Sequence, residues 1–158
     1  MGGLAGKGKG TKEMNTIRVK RLKPSAILPT YGSAGAAGAD LYACLEESVV
    51  IAPGQTVMIP TGLAMEIPER CAGLIYARSG LACKRSLAPA NKVGVIDSDY
   101  RGEIIVALHN HGSIPQTICH GERIAQMVIT PVLTPAYAIS ETLDDTDRGA
   151  GGFGSTGK

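Results

Sequence analysis

The chain has 158 residues, of which 44% are hydrophobic and 19% charged, and its net charge at pH 7 is +2. This length and composition indicate one globular domain with a hydrophobic core and exclude a chain that is disordered throughout. The nearly balanced charge does not favour a strongly acidic or basic partner, and no apolar run is long enough to span a membrane.

The chain begins with a basic, Gly-rich stretch. Lysines and arginines crowd residues 7–23, where Glu13 is the only acid. Because residues 1–13 hold almost nothing to bury, we expect them to form a disordered extension. No aromatic side chain lies among these charges, so a solvated extension is favoured over weak nucleic-acid binding. No apolar signal core follows the charged start, so secretion is not predicted.

Short apolar runs separated by Gly and Pro follow. The first, Thr16–Leu22, alternates, with Ile17 and Val19 on one side of the chain. Many short strands with closely spaced turns predict an all-β barrel or sandwich. The single helix that we predict is a brief one over Gly80–Lys84. The further runs are Ala39–Ala43, Val49–Ile51, Thr56–Ile59, Leu63–Ile67, Gly73–Tyr76, Val93–Ile96, Ile104–Leu108 and Arg123–Val132.

The cysteines have no Cys-x-x-Cys spacing, which is typical of buried, reduced thiols in a cytosolic protein. His109 and His111 occupy alternate positions of a predicted strand and therefore share a face, with His120 nearby. Because no further ligand spacing accompanies them, the sequence does not predict a transition-metal site there. The four cysteines are Cys44, Cys71, Cys83 and Cys119.

The stretch Asn91–Glu103 carries more polar chemistry than a turn between two strands needs. We predict a strand over Lys92–Ile96, a turn over Asp97–Gly102 and a second strand over Glu103–Leu108. Acids in such a turn supply a general base or a charge facing a metal, a tyrosine supplies a stacking surface, and an arginine binds anions. For an isolated turn, a solvated loop remains the alternative. The turn holds Asp97, Asp99, Tyr100 and Arg101.

Three weaker signals lie elsewhere. Arg78-Ser79-Gly80 precedes the predicted helix, whose first N–H groups attract anions, and Gly80 lets the backbone approach a ligand closely. Gln126 lies in an apolar run, and its amide needs a partner, which a hydrogen bond within the sheet would provide. Asp40, at the start of a strand, is by itself an ordinary turn acid.

The C-terminal tail changes character after Pro135. Ser140–Asp147 is acidic and polar, and Arg148–Gly157 is rich in glycine. The glycines let the backbone wrap around a ligand, and the tail offers phosphate donors and a stacking ring. Without a ligand, we expect the tail to be disordered. The donors are Arg148, Ser155 and Thr156, and the ring belongs to Phe153.

Five segments, in this order, resemble the motifs of the trimeric dUTP diphosphatase (dUTPase) family. The likeness extends from Asn15 to Gly157. It leaves the Gly- and Lys-rich extension before Met14 without a counterpart. The segments are Ala39–Ala43, Ala77–Ala82, Gly94–Glu103 preceded by Asn91, Gly121–Met127 and Arg148–Gly157.

The resemblance implies Mg²⁺-dependent hydrolysis of dUTP to dUMP and diphosphate, with water attacking the α-phosphorus. This reaction would lower dUTP and supply dUMP for thymidylate synthesis in the cytoplasm. By position, Asp97 would activate the water. Mg²⁺ would lie mainly on the triphosphate and on waters, with Asp40 supporting it indirectly through water. No nucleic acid or membrane is expected as a partner.

The resemblance also implies roles for the substrate-binding residues. Tyr100 would stack on the deoxyribose and exclude a 2′-hydroxyl. Uracil would be recognised by Asn91 and by the backbone of Gly94, Val95 and Ile96. The phosphates would lie on Arg78, Ser79 and Gly80, with Gln126 on a phosphate or on the attacking water. The residues that would close over the bound nucleotide are Arg148, Phe153, Gly154, Ser155 and Thr156.

The fold implied is a jelly-roll-like distorted β-barrel with one short helix, in a homotrimer with C-terminal arm exchange. The turn, the phosphate contacts and the tail of each active site would then come from three different subunits. Residues 14–139 would form the β domain, and residues 140–158 a flexible arm that closes over a neighbouring active site. Two alternatives remain open: a dCTP deaminase of the same fold, and a non-catalytic nucleotide-binding regulator.

Overall fold

The computed structural model describes residues 16–152. The predicted extension over residues 1–13 lies outside the described residues, as do Phe153, Gly154, Ser155 and Thr156 of the tail. In chain order the elements are β1 (Arg18–Arg21), β2 (Thr30–Tyr31), β3 (Ala39–Tyr42), β4 (Val49–Ile51), β5 (Thr56–Pro60), β6 (Leu63–Glu66), β7 (Cys71–Tyr76), α1 (Ser79–Arg85), β8 (Leu87–Pro89), β9 (Gly94–Ile96), β10 (Ile105–Asn110), β11 (Gln116–Ile118) and β12 (Arg123–Pro131).

The strands form four small antiparallel sheets. The largest has the order β2-β3-β12-β7-β9, and a three-stranded sheet has the order β5-β10-β8. Two further pairs, β1 with β6 and β11 with β4, complete the strand pairing. Sequence neighbours seldom pair, as in jelly-roll folds, where strands from distant parts of the chain are wrapped together. The prediction of an all-β, jelly-roll-like subunit with one short helix is confirmed.

The core lies between these sheets. Along β10, Val106, Leu108 and Asn110 point inward and alternate with more exposed positions, as the two-residue period of a strand requires. Asn110 is fully buried, and its Nδ2 donates to the carbonyl oxygens of Ile51 and Ile114 over 3.0 and 2.8 Å. Among the described residues, no buried polar side-chain atom lacks a partner. The core therefore combines close apolar packing with satisfied polar groups.

The helix is close to its predicted position. It covers Ser79–Arg85 rather than Gly80–Lys84, and it ends at Ser86, which has the left-handed conformation (φ 53°). Ser86 donates its N–H back to the carbonyl of Leu81, which closes the last turn. Within residues 16–152, no helix is long and apolar enough to cross a membrane.

The prediction that all four cysteines are buried is wrong for two of them. Cys44 and Cys71 are buried, whereas Cys83 on α1 and Cys119 after β11 are exposed. Both exposed cysteines lie in short surface segments with no alternating pattern that indicates an inward face. All four are free thiols.

Candidate active site

Asp40 joins two arginines from distant parts of the chain. Nε of Arg78 donates to Oδ1 of Asp40 over 2.7 Å, and Nη1 of Arg123 donates to Oδ2 over 3.1 Å. The side chain of Asp40 is only 13% exposed, against 23% for Arg78 and 52% for Arg123. A carboxylate that accepts from two guanidinium groups holds both in fixed orientations. We call these three residues the arginine clamp.

The sheet brings the clamp together. β3 and β12 are neighbours, so that Asp40 lies beside Gln126, and β7 on the other side of β12 leads to Arg78. Nη2 of Arg78 has no protein acceptor among residues 16–152. The clamp therefore presents a charged donor at the carboxyl end of β7, next to the start of α1. Sequence reasoning missed Arg123, whose only signal was its place in the segment that contains Gln126.

Gln126 is held within the sheet, as its apolar surroundings suggested. Its Nε2 donates to the carbonyl of Ala77 over 2.9 Å. A Cβ added at Gly38 would lie 2.6 Å from Oε1 of Gln126, so the amide fills space that only a glycine leaves open. The bond fixes the segment just before Arg78. Gln126 thus lies beside the clamp and supports its backbone.

The first turn of α1 lies beside the clamp. Arg78 is the residue before the helix, and its carbonyl accepts from the N–H groups of Leu81 and Ala82 over 3.1 and 2.9 Å. The N–H groups of Ser79 and Gly80 have no acceptor within the helix. A Cβ added at Gly80 would meet no atom within 4 Å. Contacts within this chain therefore do not require a glycine there, and the open space faces outward.

The two strands around the Asp97 turn belong to different sheets, which corrects the predicted hairpin. β9 pairs with β7, whereas β10 pairs with β5 and β8. Lys92, with φ 66°, lies in a turn before β9, and the second strand starts at Ile105 rather than at Glu103. Each of the two strands forms its ladder with strands from other parts of the chain. A cleft opens between them.

This cleft has two neighbouring parts that share lining residues. The inner part, about 130 Å³, lies next to Asn91, Gly94 and Ile96. The outer part, about 280 Å³, lies next to Ile96, Asp97 and Tyr100. Both parts share an apolar wall of exposed or half-exposed side chains. That wall consists of Met58, Val95 and Ile105.

The polar groups of the turn surround the mouth of the cleft. Asp97 is exposed, and its carbonyl accepts from the N–H of Tyr100 over 3.2 Å. The guanidinium of Arg101 is turned back onto the turn, where it donates to the carbonyls of Ser98 and Tyr100 over 2.7 and 3.0 Å. A narrow apolar slot with a carboxylate at its mouth suits a flat ring that carries a polar substituent.

The cleft and the arginine clamp are separated within one chain. Ile96, the residue before Asp97, pairs with Gly73, whereas Arg78 lies five residues further along the antiparallel neighbour. At about 3.3 Å per residue, roughly 15–20 Å separates the two groups. The structure therefore brings Asp40, Arg78 and Gln126 together, and it brings Asn91, Asp97 and Tyr100 together, but it does not join these two sets.

Arg148 lies in a compact turn near the end of the described chain. Its Nε donates to the carbonyl of Gly151 over 2.8 Å, and the N–H of Gly149 donates to the carbonyl of Thr146 over 2.9 Å. Residues 141–150 are exposed, and the hydrogen bonds of this turn join residues within 146–151 only. The first residues of the tail therefore form a local turn of their own.

The histidines are not gathered as a metal site. The rings of His109 and His111 are 4.4 Å apart, edge to face, while His120 accepts at Nδ1 from the N–H of Leu45 over 3.2 Å. Among residues 16–152, no group of three or more His, Cys, Asp or Glu side chains is placed to hold a metal ion.

A family model, curated relatives and solved structures were compared with this chain, and the three comparisons agree. The family model described as dUTPase matches residues 24–157. A deoxyuridine 5'-triphosphate nucleotidohydrolase of Desulfitobacterium hafniense is 54% identical over 149 residues, covering 91% of this chain and 99% of that protein. The Bordetella pertussis protein of the same name is 52% identical over 143 residues, covering 90% and 96%. Among solved structures, the Staphylococcus bacteriophage 80alpha dUTPase with dUPNHPP superposes with a TM-score of 0.84 at 31% identity, covering 91% and 99%.

Proposed function

The chain belongs to the dUTPase family and is a dUTP diphosphatase, and on that basis we propose that it converts dUTP to dUMP and diphosphate with Mg²⁺, by attack of water at the α-phosphorus. The observation that carries this proposal is the cleft between β9 and β10, because a slot for a flat base opens at the same turn that bears Asp97. The dUMP formed would serve thymidylate synthesis, and the reaction would also lower the amount of dUTP. We place the reaction in the cytoplasm, in keeping with free cysteines.

The donor set fits a Mg²⁺ ion that arrives with the substrate. Both carboxylate oxygens of Asp40 already accept from arginines, and the carboxylate of Asp97 is exposed on its turn. Such groups suit contact through water better than direct coordination in a protein cage. Asp40 would act on the ion indirectly, through water. When bound, Mg²⁺ would orient the triphosphate oxygens and neutralise their charge.

Asp97 is the residue that we propose as the general base. It is exposed at the cleft mouth and has no arginine partner among the described residues, so its oxygens are free to accept from a water. Geometry comes first for a base, which has to lie within hydrogen-bond reach of the water that it activates. The protein then contributes by positioning the water and the phosphorus in line.

The cleft is proposed to select the base and the sugar. Uracil would enter the inner part and bind to Asn91 and to the backbone of Gly94, Val95 and Ile96. Gly94 is buried, and a Cβ there would lie 3.2 Å from Cβ of Ile75, which shows how little space the inner part leaves. A slot this tight would also reject a 5-methyl group. Tyr100, in the outer part, would stack on the deoxyribose and exclude a ribose.

The arginine clamp is proposed as the phosphate site. Arg78 would bind a phosphate with the side of its guanidinium that Asp40 leaves free. Ser79 and Gly80 would add the first N–H groups of α1, and Gln126 would bind a phosphate or the attacking water. Because the clamp already orients the guanidinium, little ordering remains to be done when dUTP binds.

A complete site would need more than one subunit. The roughly 15–20 Å between Asp97 and Arg78 within one chain supports this view, since neither set alone combines a base with a phosphate clamp. We propose a homotrimer in which the turn of one subunit faces the clamp of a second and receives the tail of a third. The number three rests on the family resemblance.

The segment after β12 supports exchange of an arm between subunits. Up to residue 152, its last backbone bond to the β domain is the one that the N–H of Val132 donates to the carbonyl of Arg70, over 2.8 Å. Beyond it, Leu133, Tyr137 and Ile139 are 94%, 98% and 104% exposed. A row of exposed apolar side chains needs a partner surface. Each subunit also has an apolar groove of about 350 Å³ that suits such a row of side chains from another subunit. The groove is lined in part by Ile17, Val19, Leu28, Tyr31, Met65 and Ile129.

The tail is proposed to close over the nucleotide. Arg148 would contact the phosphates from its turn, and Phe153 would stack on uracil. Residues 140–158 would thus act as the flexible arm of the enzyme, residues 14–139 as its β domain and residues 1–13 as a Gly- and Lys-rich extension. The remaining tail contacts would come from Gly154, Ser155 and Thr156.

The proposal is tested by diphosphate release from dUTP, UTP, dTTP and dCTP, run in parallel with Mg²⁺ and with a chelator. Release from dUTP alone, lost with the chelator and restored by Mg²⁺, is the expected result. Uracil nucleotide formed from dCTP without diphosphate release would instead identify a deaminase. Binding of dUTP without turnover of any of the four would identify a non-catalytic nucleotide-binding protein.

A further inference from the structure

Tyr100 is held in place although it lies on an exposed turn. Its side chain is 43% exposed, and it lies at the mouth of the cleft beside Asp97. A tyrosine in such a place ordinarily samples several rotamers. Here its Oη donates to the carbonyl of Glu103 over 3.0 Å, and the ring folds back over Gly102, one of the two intervening residues. Two neighbours along the chain therefore set the position of the ring.

Gly102 provides the space that the ring occupies. A Cβ added at Gly102 would lie 2.5 Å from Cζ and 3.0 Å from Cε2 of Tyr100. Contacts below 3.0 Å are not tolerated, and the ring would have to move to relieve them. Gly102 is not among the residues with positive φ, so its own backbone also suits an alanine. The three atoms nearest to such a Cβ all belong to the Tyr100 side chain, so that side chain is what favours glycine here.

Glu103 fixes the acceptor of the phenol hydrogen bond. Its Oε1 accepts from the N–H of Gly62 over 2.7 Å, so its side chain is directed toward the β5–β6 turn. The next residue, Ile104, donates its N–H to the carbonyl of Leu63 over 2.8 Å, and its carbonyl accepts from Oγ1 of Thr61 over 2.6 Å. Thr61 is fully buried. The carbonyl that receives the phenol is thus connected to the protein core.

The anchor itself has little freedom. Gly62 has φ +69°, and a Cβ there would lie 2.8 Å from both Cβ of Ala26 and Sγ of Cys44. No other residue fits that backbone position without strain. The chain of contacts from Gly62 to Glu103 to Tyr100 therefore starts from a rigid point and ends at the ring.

We propose that Gly102 and Glu103 are positioning residues that determine how strictly the enzyme separates deoxyribose from ribose, by fixing the ring of Tyr100 before substrate binds. This rests on the function proposed above, in which Tyr100 excludes the 2′-hydroxyl. To exclude the 2′-hydroxyl of a ribose, the Tyr100 ring has to keep its position, because a ring that moves aside makes room for the extra oxygen. A ring already held also has less conformational entropy to lose.

The test compares kcat/KM for dUTP and for UTP in the full-length enzyme. The variants are Gly102→Ala, which displaces the ring, Glu103→Ala, which removes the anchor, and Glu103→Gln, which keeps an oxygen that accepts from Gly62. We expect the dUTP-to-UTP ratio to fall about tenfold or more in both alanine variants. It should return to near the wild-type value in Glu103→Gln. A general loss of structure would lower kcat/KM for both substrates in proportion and leave their ratio unchanged.

Matched controls exist in the same chain. Gly35→Ala places a methyl group in open space, since no atom lies within 4 Å of that position. Glu69→Ala removes an exposed carboxylate from the β6–β7 turn. Neither should change the ratio.

Failure of the inference and failure of the proposed function give different results. A wild-type enzyme that hydrolyses dUTP and UTP equally would overturn the role of Tyr100 itself. A selective wild type with an unchanged ratio in folded Gly102→Ala would overturn the positioning role. Tyr100→Phe, which keeps the ring but loses the bond to Glu103, covers the case in which Glu103→Ala does not fold. Its ratio should also fall, and an unchanged ratio would contradict the inference.

Discussion

Nε of Arg78 donates to Oδ1 of Asp40 over 2.7 Å, so an acid that is only 13% exposed orients an arginine at the start of α1. The second oxygen of the same carboxylate binds Arg123. Asp40 therefore has a role in orienting cations that does not require a metal ion. The role proposed for it through Mg²⁺ can be separated from this one.

We expect Asp40→Asn to lower kcat/KM for dUTP about 10- to 100-fold, because the amide replaces one of the two oxygens that accept from the guanidinium groups with a donor NH2. The measurement is repeated at increasing Mg²⁺ concentrations. If Asp40 acts by orienting Arg78, excess Mg²⁺ leaves the loss unchanged. Recovery at high Mg²⁺ would favour the indirect metal role. Glu46→Gln, which removes an exposed carboxylate paired with Lys23, is the control and should have no effect.

Asp97→Asn should keep nucleotide binding and lose turnover. An asparagine has nearly the same shape but cannot accept the proton of the attacking water, and loss of a general base costs about 10²- to 10⁴-fold in rate. Single-turnover rates with dUTP and the Kd for dUPNHPP separate the two effects. Asp99→Asn, on the same exposed turn, is the matched control and should stay active. Near-normal turnover in Asp97→Asn would remove it from the role of base.

Two inactive variants should restore activity when their subunits are mixed. Asp97→Asn damages the turn and Arg78→Ala damages the clamp, which lie at opposite ends of β7. If each site takes the turn from one subunit and the clamp from another, random reassembly after joint unfolding leaves about a quarter of the sites intact. Diphosphate release is measured before and after mixing. Absence of any recovery, with oligomers reformed, would place both residues of a site in one subunit.

Removal of residues 148–158 should reduce turnover sharply while leaving the fold unchanged. Among the described residues, those from Arg148 onward form hydrogen bonds only within 146–151, so we expect the β domain to fold without them. Circular dichroism, sedimentation and kcat/KM for dUTP are compared with the full chain. A chain that ends at Thr156 is the control and should retain activity. Equal activity after the long truncation would defeat the proposed closing role.

The pKa of His111 should lie below its ordinary value of 6.5, because partial desolvation disfavours its charged form and His109 and Lys92 add repulsion. As pH falls through about 6.5, the unfolded chain takes up this proton more readily than the folded one, so the free energy of unfolding decreases. An NMR titration of the imidazole protons gives the pKa directly. In His109→Asn the value should rise toward 6.5, and a value that stays unchanged would show that His109 makes no contribution.

Much of the fold could be predicted from local patterns. The alternation of Thr16–Leu22 and the apolar runs around β3, β7 and β12 mark strands that the structure contains. The strands β2, β8 and β11 have only two or three residues each, too few to show a period. Their existence depends on the neighbour with which each one pairs.

The shape of the site could not be predicted in the same way. The sequence of Asn91–Glu103 predicts a hairpin because its two strands are adjacent along the chain, yet each strand pairs within a different sheet. Likewise, Asp40 looked ordinary because Arg78 is 38 positions away and Arg123 is 83 positions away. The sequence around Asp40 does not indicate which distant residues its side chain will contact. The residue types were recognised, and their contacts were not.

The long separation within the arginine clamp has a consequence for synthesis of the chain. Asp40 is made early, but its second partner, Arg123, emerges 83 positions later, on the strand that also joins β3 to β7. Contacts between such distant segments form late, because a large loop has to close first. A nascent chain on the ribosome therefore has no completed arginine clamp until most of it has been translated. The phosphate binding that we propose for the clamp would then have to wait until β12 has paired with β3 and β7.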